Sequence, residues 1–340
     1  MADESCVVVG AGGISRAWFP PLNAEGVNIA AVVDLNIDAA KDAIAKYELG
    51  AEPADDLAAT LRKHSPDFVV DLTVPDAHCD VTCTALEAGC HVLGEKPMAG
   101  DMDQATRMVQ TAERTGRMYM VSQSRRWEPH HEAVRRAVAD ELCGRLGIAN
   151  CDFYIGAHFG GFRAEMESPL VLDIAIHHFD LARMFSGCDP LAVYAHEFNP
   201  PGSWYAGDAA ASCIFEMTDG VVFTYRGCWC AEGFQTSWNG DWQLTGEQGG
   251  IRYEQDQPPT ACRVAGEEGF IRPREESAVA PVEMEHTKMH GALREMLTFL
   301  RHGTAPQTDC RDNIKSLAMV FAAMRSSREK RRVEIAELLG

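Results

Sequence analysis

The sequence predicts an α/β protein, in which an N-terminal doubly wound parallel sheet is followed by a C-terminal α/β domain with a large, mostly antiparallel open sheet. Up to about residue 122, short apolar runs alternate with segments whose apolar residues recur at helical spacing, which is typical of a parallel sheet. Beyond Gly144 the strand-like stretches are longer and helices are few, which indicates antiparallel pairing. The length of 340 residues favours two domains.

The elements of the first region follow one another in strict alternation. Strands are predicted over 6–9, 29–33, 68–72, 91–93 and 119–121, and helices over 38–47, 56–64, 79–88 and 102–114. In the second region, strands are predicted over 147–155, 192–198, 209–217 and 221–227, helices over 170–185, 289–301 and 311–329, and loop with short edge strands over 254–281. We place the domains at 1–124 and 125–340, with the last helices able to pack back on the first domain.

The charge balance limits the kinds of partner. The chain has 31 Lys and Arg against 50 Asp and Glu, a formal net charge of −19, which argues against nucleic acid and anionic membrane surfaces. No apolar run reaches the ~18 residues of a membrane span, and acidic residues precede the first strand where a signal peptide would be basic. We therefore expect a cytoplasmic protein with reduced cysteines. The cysteines show no zinc spacing, so no metal site is predicted.

A glycine-rich turn directly follows the first predicted strand and reads Gly-Ala-Gly-Gly-Ile-Ser over residues 10–15. Gly10 allows a tight turn, Gly12 allows close approach to a pyrophosphate, and Gly13 and Ile14 open the following helix, whose N-terminus favours negative charge. Ser15 stands where a third glycine is usual and is small enough to preserve helix–strand packing. The pattern favours dinucleotide binding over the alternative of a glycine turn without a ligand.

Asp34 follows the second strand, where a carboxylate accepts hydrogen bonds from the adenosine ribose hydroxyls. Leu35 and Asn36 supply no positive charge for a 2′-phosphate, so NAD is favoured over NADP. An N-cap role for Asp34 in the next helix is the alternative.

Two further patterns indicate chemistry. Lys96, in a Glu-Lys-Pro tripeptide after a strand, is placed to stabilise a developing alkoxide at the ligand-binding edge of the sheet. Asp173 and His177 are four residues apart and share one face of the helix predicted in the second region. An imidazole there suits removal of a hydroxyl proton. Each pattern alone is more often structural, and they are informative in combination.

The three patterns, in this order and spacing, resemble the Gfo/Idh/MocA family of NAD(P)-dependent oxidoreductases over nearly the whole chain. The resemblance implies a Rossmann domain followed by a substrate-binding and oligomerisation domain. It places the catalytic residues on Lys96, Asp173 and His177. The bond that corresponds to Lys96–Pro97 is often cis in the family, so a cis bond is expected here. Further cofactor contacts carried over from the family are Thr73, Pro75, His78, Glu95, Lys96 and Arg163.

Two segments depart from the family pattern in the expected substrate region. Ser124 and Trp127 replace the common Asn and Phe or Tyr, and the segment 168–170 replaces a frequent glycine run. Substrate specificity is therefore not transferred from relatives. Candidate substrate contacts are Arg126, His158, Tyr205, Trp229 and Trp238. The tryptophans, together with Trp242, are equally compatible with a core or a subunit interface.

The function expected from these observations is reversible, NAD-dependent oxidation of a secondary alcohol of a sugar, polyol or cyclitol derivative. Either Lys96 or His177 is the formal base, and Asp173 orients the imidazole. The alternatives are a redox-neutral NAD-using glycosidase or epimerase on the same site, and a non-catalytic ligand sensor of the same fold. Because a large open sheet needs a covered face, a homodimer or homotetramer is expected.

Overall fold

The computed structural model describes residues 4–340 and divides into two compact units. The first unit contains the described chain up to Trp127 together with His286–Ile314, and the second contains Glu128–Glu285 together with Lys315–Gly340. The chain therefore leaves the first unit and returns to it before it ends. No helix in the described part of the chain is long and apolar enough to cross a membrane.

Fifteen strands are distributed over two sheets among the described residues. The strands are β1 Ser5–Val9, β2 Asn28–Val33, β3 Glu52–Ala54, β4 Phe68–Asp71, β5 His91–Gly94, β6 Tyr119–Val121, β7 Leu146–Tyr154, β8 Pro190–Phe198, β9 Ala210–Met217, β10 Val222–Cys228, β11 Asp241–Gly246, β12 Gly249–Tyr253, β13 Thr260–Val264, β14 Arg274–Ala278 and β15 Val333–Glu334.

Helices surround the first sheet and pack on the second. They are α1 Phe19–Ala24, α2 Ile37–Lys46, α3 Leu57–His64, α4 Pro75–Glu87, α5 Met102–Thr115, α6 Pro129–Ala139, α7 Phe162–Glu165, α8 Ile176–Ser186, α9 Lys288–His302, α10 Cys310–Glu329 and α11 Ala336–Leu339. A π-helical segment, Leu170–Ala175, leads directly into α8.

The sheet of the first unit has the order β3-β2-β1-β4-β5-β6, and every pair in it is parallel. This confirms the predicted doubly wound sheet. The chain order reverses between β1 and β4, and ligands of open α/β sheets bind in the crevice at such a switch point. β3 was not predicted, because it has only three residues, one of them Pro53, at the edge of the sheet.

The glycine turn does not open a continuous helix. A short 3₁₀ segment, Gly13–Ala17, is followed by a separate α1 that contains Pro20 and Pro21. Since proline lacks the N–H group that an interior helical position donates, one regular helix through this segment is excluded.

The sheet of the second unit has nine strands in the order β14-β13-β12-β11-β7-β10-β9-β8-β15. Only β7 and β10 pair in parallel, which confirms a mostly antiparallel sheet. One face of this sheet packs on α8, whose Phe179 contacts Phe215 and Tyr225 and whose Phe185 contacts Trp242. β13 and β14 are short strands within the segment predicted as loop and edge strands.

Candidate functional site

The glycine turn lies at the carboxyl end of β1. Gly10 has a φ of +97°, and a Cβ on it would stand 2.8 Å from the carbonyl oxygen of Leu72 at the end of the neighbouring β4. By contrast, apart from the adjoining residues of the chain, no atom of residues 4–340 lies within 4 Å of where a Cβ on Gly12 or Gly13 would stand. Gly10 is therefore required by the backbone, whereas Gly12 and Gly13 leave an open surface beside the switch point.

Asp34 is tied to this turn. One carboxylate oxygen accepts a hydrogen bond from the backbone N–H of Ala11 at 2.8 Å, and the other accepts from Asn36 N–H at 2.8 Å. The N-cap of α2 is Asn36, whose side chain accepts from Asp38 N–H. The N-cap alternative for Asp34 was therefore wrong. The carboxylate stands at the mouth of the turn, and the following Leu35 is fully exposed.

A buried carboxyl that the sequence analysis missed organises the end of β4. Asp71 is fully buried and accepts hydrogen bonds from the Thr73 hydroxyl at 2.6 Å and the Thr82 hydroxyl at 3.1 Å. Burial raises the pKa of Asp71, although nearby His78 and the hydrogen bonds from Thr73 act in the opposite direction. Asp71 thereby fixes Thr73, and Pro75 follows as the first residue of α4. An acidic residue ending an otherwise apolar strand was the available signal.

His78 links two loops at this edge. Its ring nitrogens lie 3.0 Å from the carbonyl oxygens of Thr73 and Pro97, and the side chain is buried. The Lys96–Pro97 peptide is cis, as expected from the family resemblance. The ring of His78 therefore braces the segment that carries Lys96, and Lys96 itself is half-buried.

Glu95 is held in place by two hydrogen bonds to its carboxylate. Its carboxylate accepts a hydrogen bond from the indole N–H of Trp18 at 2.8 Å and from the backbone N–H of Lys96 at 3.1 Å. Burial raises the pKa of Glu95 against the opposing effect of the Trp18 hydrogen bond and the charge of Lys96. Glu95 therefore anchors the backbone at Lys96, and no sequence signal pointed to Trp18 as its partner.

The end of β6 contributes further buried polar groups. Arg126 is buried, and its guanidinium contacts the carbonyl oxygen of Gln307 at 3.5 Å. The side-chain amide of Gln123 is also buried, and neither its nitrogen nor its oxygen has a hydrogen-bond partner within the described residues. Because such a group costs free energy unless something bonds to it, Gln123 is a candidate contact for a bound molecule. Gln123 was not among the site residues predicted from the sequence.

In the second unit, Asp173 and His177 lie on either side of a change in helical geometry. Asp173 belongs to the π-helical segment, and His177 belongs to the first turn of α8. A regular helix over 170–185 was predicted, so that prediction was wrong for its first turns. π-helical turns inside helices are frequent at functional sites. His177 is 9% exposed.

Arg163 pairs with Asp173. Its Nε donates to the Asp173 carboxylate at 2.5 Å, and the guanidinium lies over the rings of Phe159 and Phe162, at 5.3 and 4.6 Å from their centroids. Arg163 therefore binds the carboxylate that was expected to orient His177. The neighbouring His178 and Asp180 are structural, since His178 packs on Tyr225 and Asp180 accepts from the Ser316 hydroxyl.

The predicted substrate aromatics divide by burial. Trp229 and Trp242 are 1% exposed, and Tyr205 donates its hydroxyl hydrogen to the Ala157 carbonyl oxygen at 2.8 Å. The core alternative therefore holds for the two tryptophans. Trp238 is 45% exposed. His158 stacks on the indole of Trp204 with ring centroids 3.7 Å apart, and its Nε2 lies 2.7 Å from a carboxylate oxygen of Glu232.

These contacts assemble the candidate residues within each unit. Gly10, Asp34, Thr73, Glu95 and Lys96 lie on loops at the carboxyl edge of the first sheet. Arg163, Asp173 and His177 belong to the second unit. Joint action of Lys96 with His177 remains a prediction.

Two family models match the chain. Residues 5–123 match an oxidoreductase family model with an NAD-binding Rossmann fold, and residues 131–252 match the Gfo/Idh/MocA C-terminal domain. A D-apiose dehydrogenase of Paraburkholderia graminis is 29% identical over 97% of this chain and 89% of its own length. An inositol 2-dehydrogenase of Rhizobium meliloti is 24% identical over 97% of this chain and 98% of its own length.

Solved structures share the fold. An oxidoreductase from Agrobacterium radiobacter in complex with NAD+, L-tartaric acid and magnesium has a TM-score of 0.87 at 21% identity, covering 99% of this chain and 100% of that one. The WlbA dehydrogenase from Bordetella pertussis in complex with NADH and UDP-GlcNAcA has a TM-score of 0.80 at 20% identity. The match covers 97% of this chain and 98% of that one.

Proposed function

The chain belongs to the Gfo/Idh/MocA family of NAD-binding oxidoreductases, and from this premise we propose that it oxidises a secondary alcohol of a sugar, polyol or cyclitol derivative with NAD. The observation that carries the proposal is the open surface at Gly12 and Gly13 beside the switch point of the first sheet. Backbone N–H groups at such a turn hold a pyrophosphate. When bound, NAD accepts the hydride that leaves the alcohol carbon, which no side chain can do.

The preference for NAD rests on Asp34. Its carboxylate stands at the mouth of the glycine turn, where it repels a 2′-phosphate and accepts hydrogen bonds from ribose hydroxyls. Neither Leu35 nor Asn36 brings a compensating positive charge. Comparison of kcat/KM with NAD and with NADP tests this assignment, and a clear preference for NADP would contradict it.

Lys96 and His177 handle the proton of the substrate hydroxyl. One of the two removes the proton, and the other stabilises negative charge that develops on the same oxygen. The cis Lys96–Pro97 segment is braced by His78 and anchored by Glu95, so the amine is presented from a fixed backbone. We assign positioning roles, rather than direct cofactor contacts, to the buried side chains of His78 and Glu95.

Asp173 acts on His177 with Arg163 as its partner. The carboxylate is held by the Arg163 guanidinium and is largely buried, with a side chain 13% exposed. A fixed carboxylate near the start of α8 favours one orientation of the His177 ring. Arg163 was expected to contact the cofactor, and the pairing gives it a positioning role in addition.

The substrate class is supported by the aromatic side chains of the second unit. Trp238, Phe159 and Phe162 are all exposed by 45% or more, and aromatic faces suit the C–H surfaces of sugars and cyclitols. Relatives named D-apiose dehydrogenase and inositol 2-dehydrogenase make pentoses and cyclitols the first compounds to test.

A second copy of the chain is proposed to cover the outer face of the nine-stranded sheet. Neighbouring strands expose Tyr194 beside Ile214 and Val222 beside Ile148, and each of these side chains is 38% or more exposed. An apolar surface of this kind is seldom left to water. Light scattering on the purified protein measures the oligomeric state.

A dehydrogenase assay tests the proposed function. The purified chain is incubated with NAD and a panel of cyclitols, aldoses, polyols and uronic acids, and NADH is followed by its absorbance. Accumulation of NADH in proportion to the oxidised product is expected for at least one compound. Conversion of a substrate without NADH accumulation would indicate redox-neutral chemistry, and NAD binding without any conversion would indicate a sensor.

A further inference from the structure

A cluster of two histidines and one glutamate lies in the first unit, outside the residues assigned above. Glu25 caps the C-terminal end of α1, His286 precedes α9, and His290 lies in the first turn of α9. Nε2 of His290 is 2.7 Å from Oε1 of Glu25, and Nε2 of His286 is 3.8 Å from the same oxygen. One ligand-type atom from each residue lies within 4.8 Å of those of the other two.

The distances suit a metal ion. Tetrahedral zinc with bonds of about 2.0–2.1 Å places its ligand atoms roughly 3.3 Å apart. The distances from Glu25 Oε1 to Nε2 of His286 and of His290, 3.8 and 2.7 Å, lie on either side of that separation, so both need to shift by about half an ångström. The two rings are in contact, tilted by 32° with centroids 4.0 Å apart, and Nε2 of each lies within 4 Å of the same carboxylate oxygen.

The charge and burial of the cluster also suit a cation. Glu25 brings a carboxylate to the two imidazoles. Arg294 donates to Oε2 at 2.7 Å, which leaves Oε1 directed at the two rings. The three side chains are 9%, 23% and 27% exposed, so the cluster is shielded and still reachable from solvent.

We propose that Glu25, His286 and His290 form a binding site for a divalent transition-metal ion, with Zn²⁺ as the ion of best fit. Two imidazoles and one carboxylate are ligands that zinc prefers, and a water molecule completes the tetrahedron. The ion joins α9 to α1, the helix that follows the glycine turn. Its role is structural, and the proposal is independent of the proposed function.

Zinc titration of the chelator-treated 340-residue chain by calorimetry tests the site. Wild type is expected to bind one Zn²⁺ per chain and to show a higher Tm with zinc. The double variant His286→Ala/His290→Ala is expected to lose affinity on the order of 100-fold or more. His302→Ala removes an exposed histidine at the other end of α9 and is expected to bind as wild type does.

Two further measurements keep the test decisive if the double variant folds poorly. Glu25→Gln removes the charge of the third ligand with little change of shape and is also expected to weaken binding. Co²⁺ bound to wild type is expected to give a visible tetrahedral spectrum without thiolate charge-transfer absorption, and Cys228→Ser/Cys230→Ser is expected to leave that spectrum unchanged. No zinc binding by wild type, equal binding by Glu25→Gln, or a thiolate signature would each overturn the site.

Discussion

The two units hold their candidate functional residues by different means. In the first unit, the glycine turn is fixed by its backbone, because Gly10 has a positive φ and touches the end of β4. In the second unit, Asp173 is fixed by a side chain, Arg163, and by a π-helical turn. A backbone conformation that only glycine adopts restricts the amino acid at that position, so it is visible in the sequence as a motif. An ion pair such as Arg163 with Asp173 consists of two common polar residues at no fixed spacing, so the sequence alone does not reveal the pairing.

Replacement of the proposed proton-handling lysine is expected to have the largest effect. Lys96→Met is expected to lower kcat by about 10³-fold, since loss of a positioned acid or base costs about 10²–10⁴-fold. The Kd for NAD is expected to change by less than about threefold, because the glycine turn and Asp34 are untouched. Steady-state kinetics and NAD titration measure the two quantities. Near-normal turnover would remove Lys96 from the mechanism.

Two glycine substitutions separate backbone need from ligand contact in the first unit. Gly10→Ala is expected to lower the unfolding free energy by about 2–4 kcal/mol, because φ is positive and the new methyl group meets Leu72. Gly12→Ala meets nothing and is expected to change stability by less than about 0.5 kcal/mol. It is nevertheless expected to weaken NAD binding about tenfold or more, since the methyl group occupies the open surface. Urea unfolding measures the stability changes and NAD titration measures the affinity, and unchanged NAD affinity in Gly12→Ala would contradict pyrophosphate binding at the glycine turn.

A buried carboxyl beside the π-helical segment makes the second unit sensitive to pH. Burial raises the pKa of Glu197 to about 7, against a hydrogen bond from Ser168, the residue two before the π-helical segment. The folded state therefore holds this proton more tightly than the unfolded chain does. Stability from this group is full below the usual glutamate pKa and falls as pH rises toward 7.

The Glu197→Gln variant removes that dependence. Between about pH 5 and pH 7, its unfolding free energy is expected to fall by about 2 kcal/mol less than that of wild type. Urea unfolding at the two pH values measures the difference, and Glu267→Gln, at an exposed position, is the control. Parallel pH profiles for wild type and Glu197→Gln would show that Glu197 titrates normally.

The smallest expected effect concerns the pair that defines the second unit's site. In a double-mutant cycle on kcat/KM, Arg163→Gln and Asp173→Asn are expected to show a coupling of about 1–2 kcal/mol, because either change alone breaks the same hydrogen bond. Arg226→Gln removes a similar but exposed partner of Asp152 and is expected to leave kcat/KM unchanged. Additive effects of Arg163→Gln and Asp173→Asn would show that the two residues are not coupled in catalysis.

The sequence predicted both sheets and the glycine turn, because periodicity and turn chemistry are local. It left the last helices able to pack back on the first domain but did not specify that 286–314 is the segment that joins the first unit, since periodicity carries no information on which unit a helix joins. The break between the glycine turn and α1 was visible in Pro20 and Pro21 and was not used. The cluster brings Glu25 together with His286 and His290, more than 250 positions away in the sequence. The prediction of no metal site considered only ligands at short spacing, so it could not detect this cluster.

A crystal structure of the chain with NAD and an identified alcohol substrate or its unreactive analogue tests the central claim most directly. We expect Nζ of Lys96 and one ring nitrogen of His177 both to lie about 3 Å from the reacting oxygen, with its carbon facing C4 of the nicotinamide. A complex in which the bound alcohol touches only one of the two residues, or neither, would contradict it.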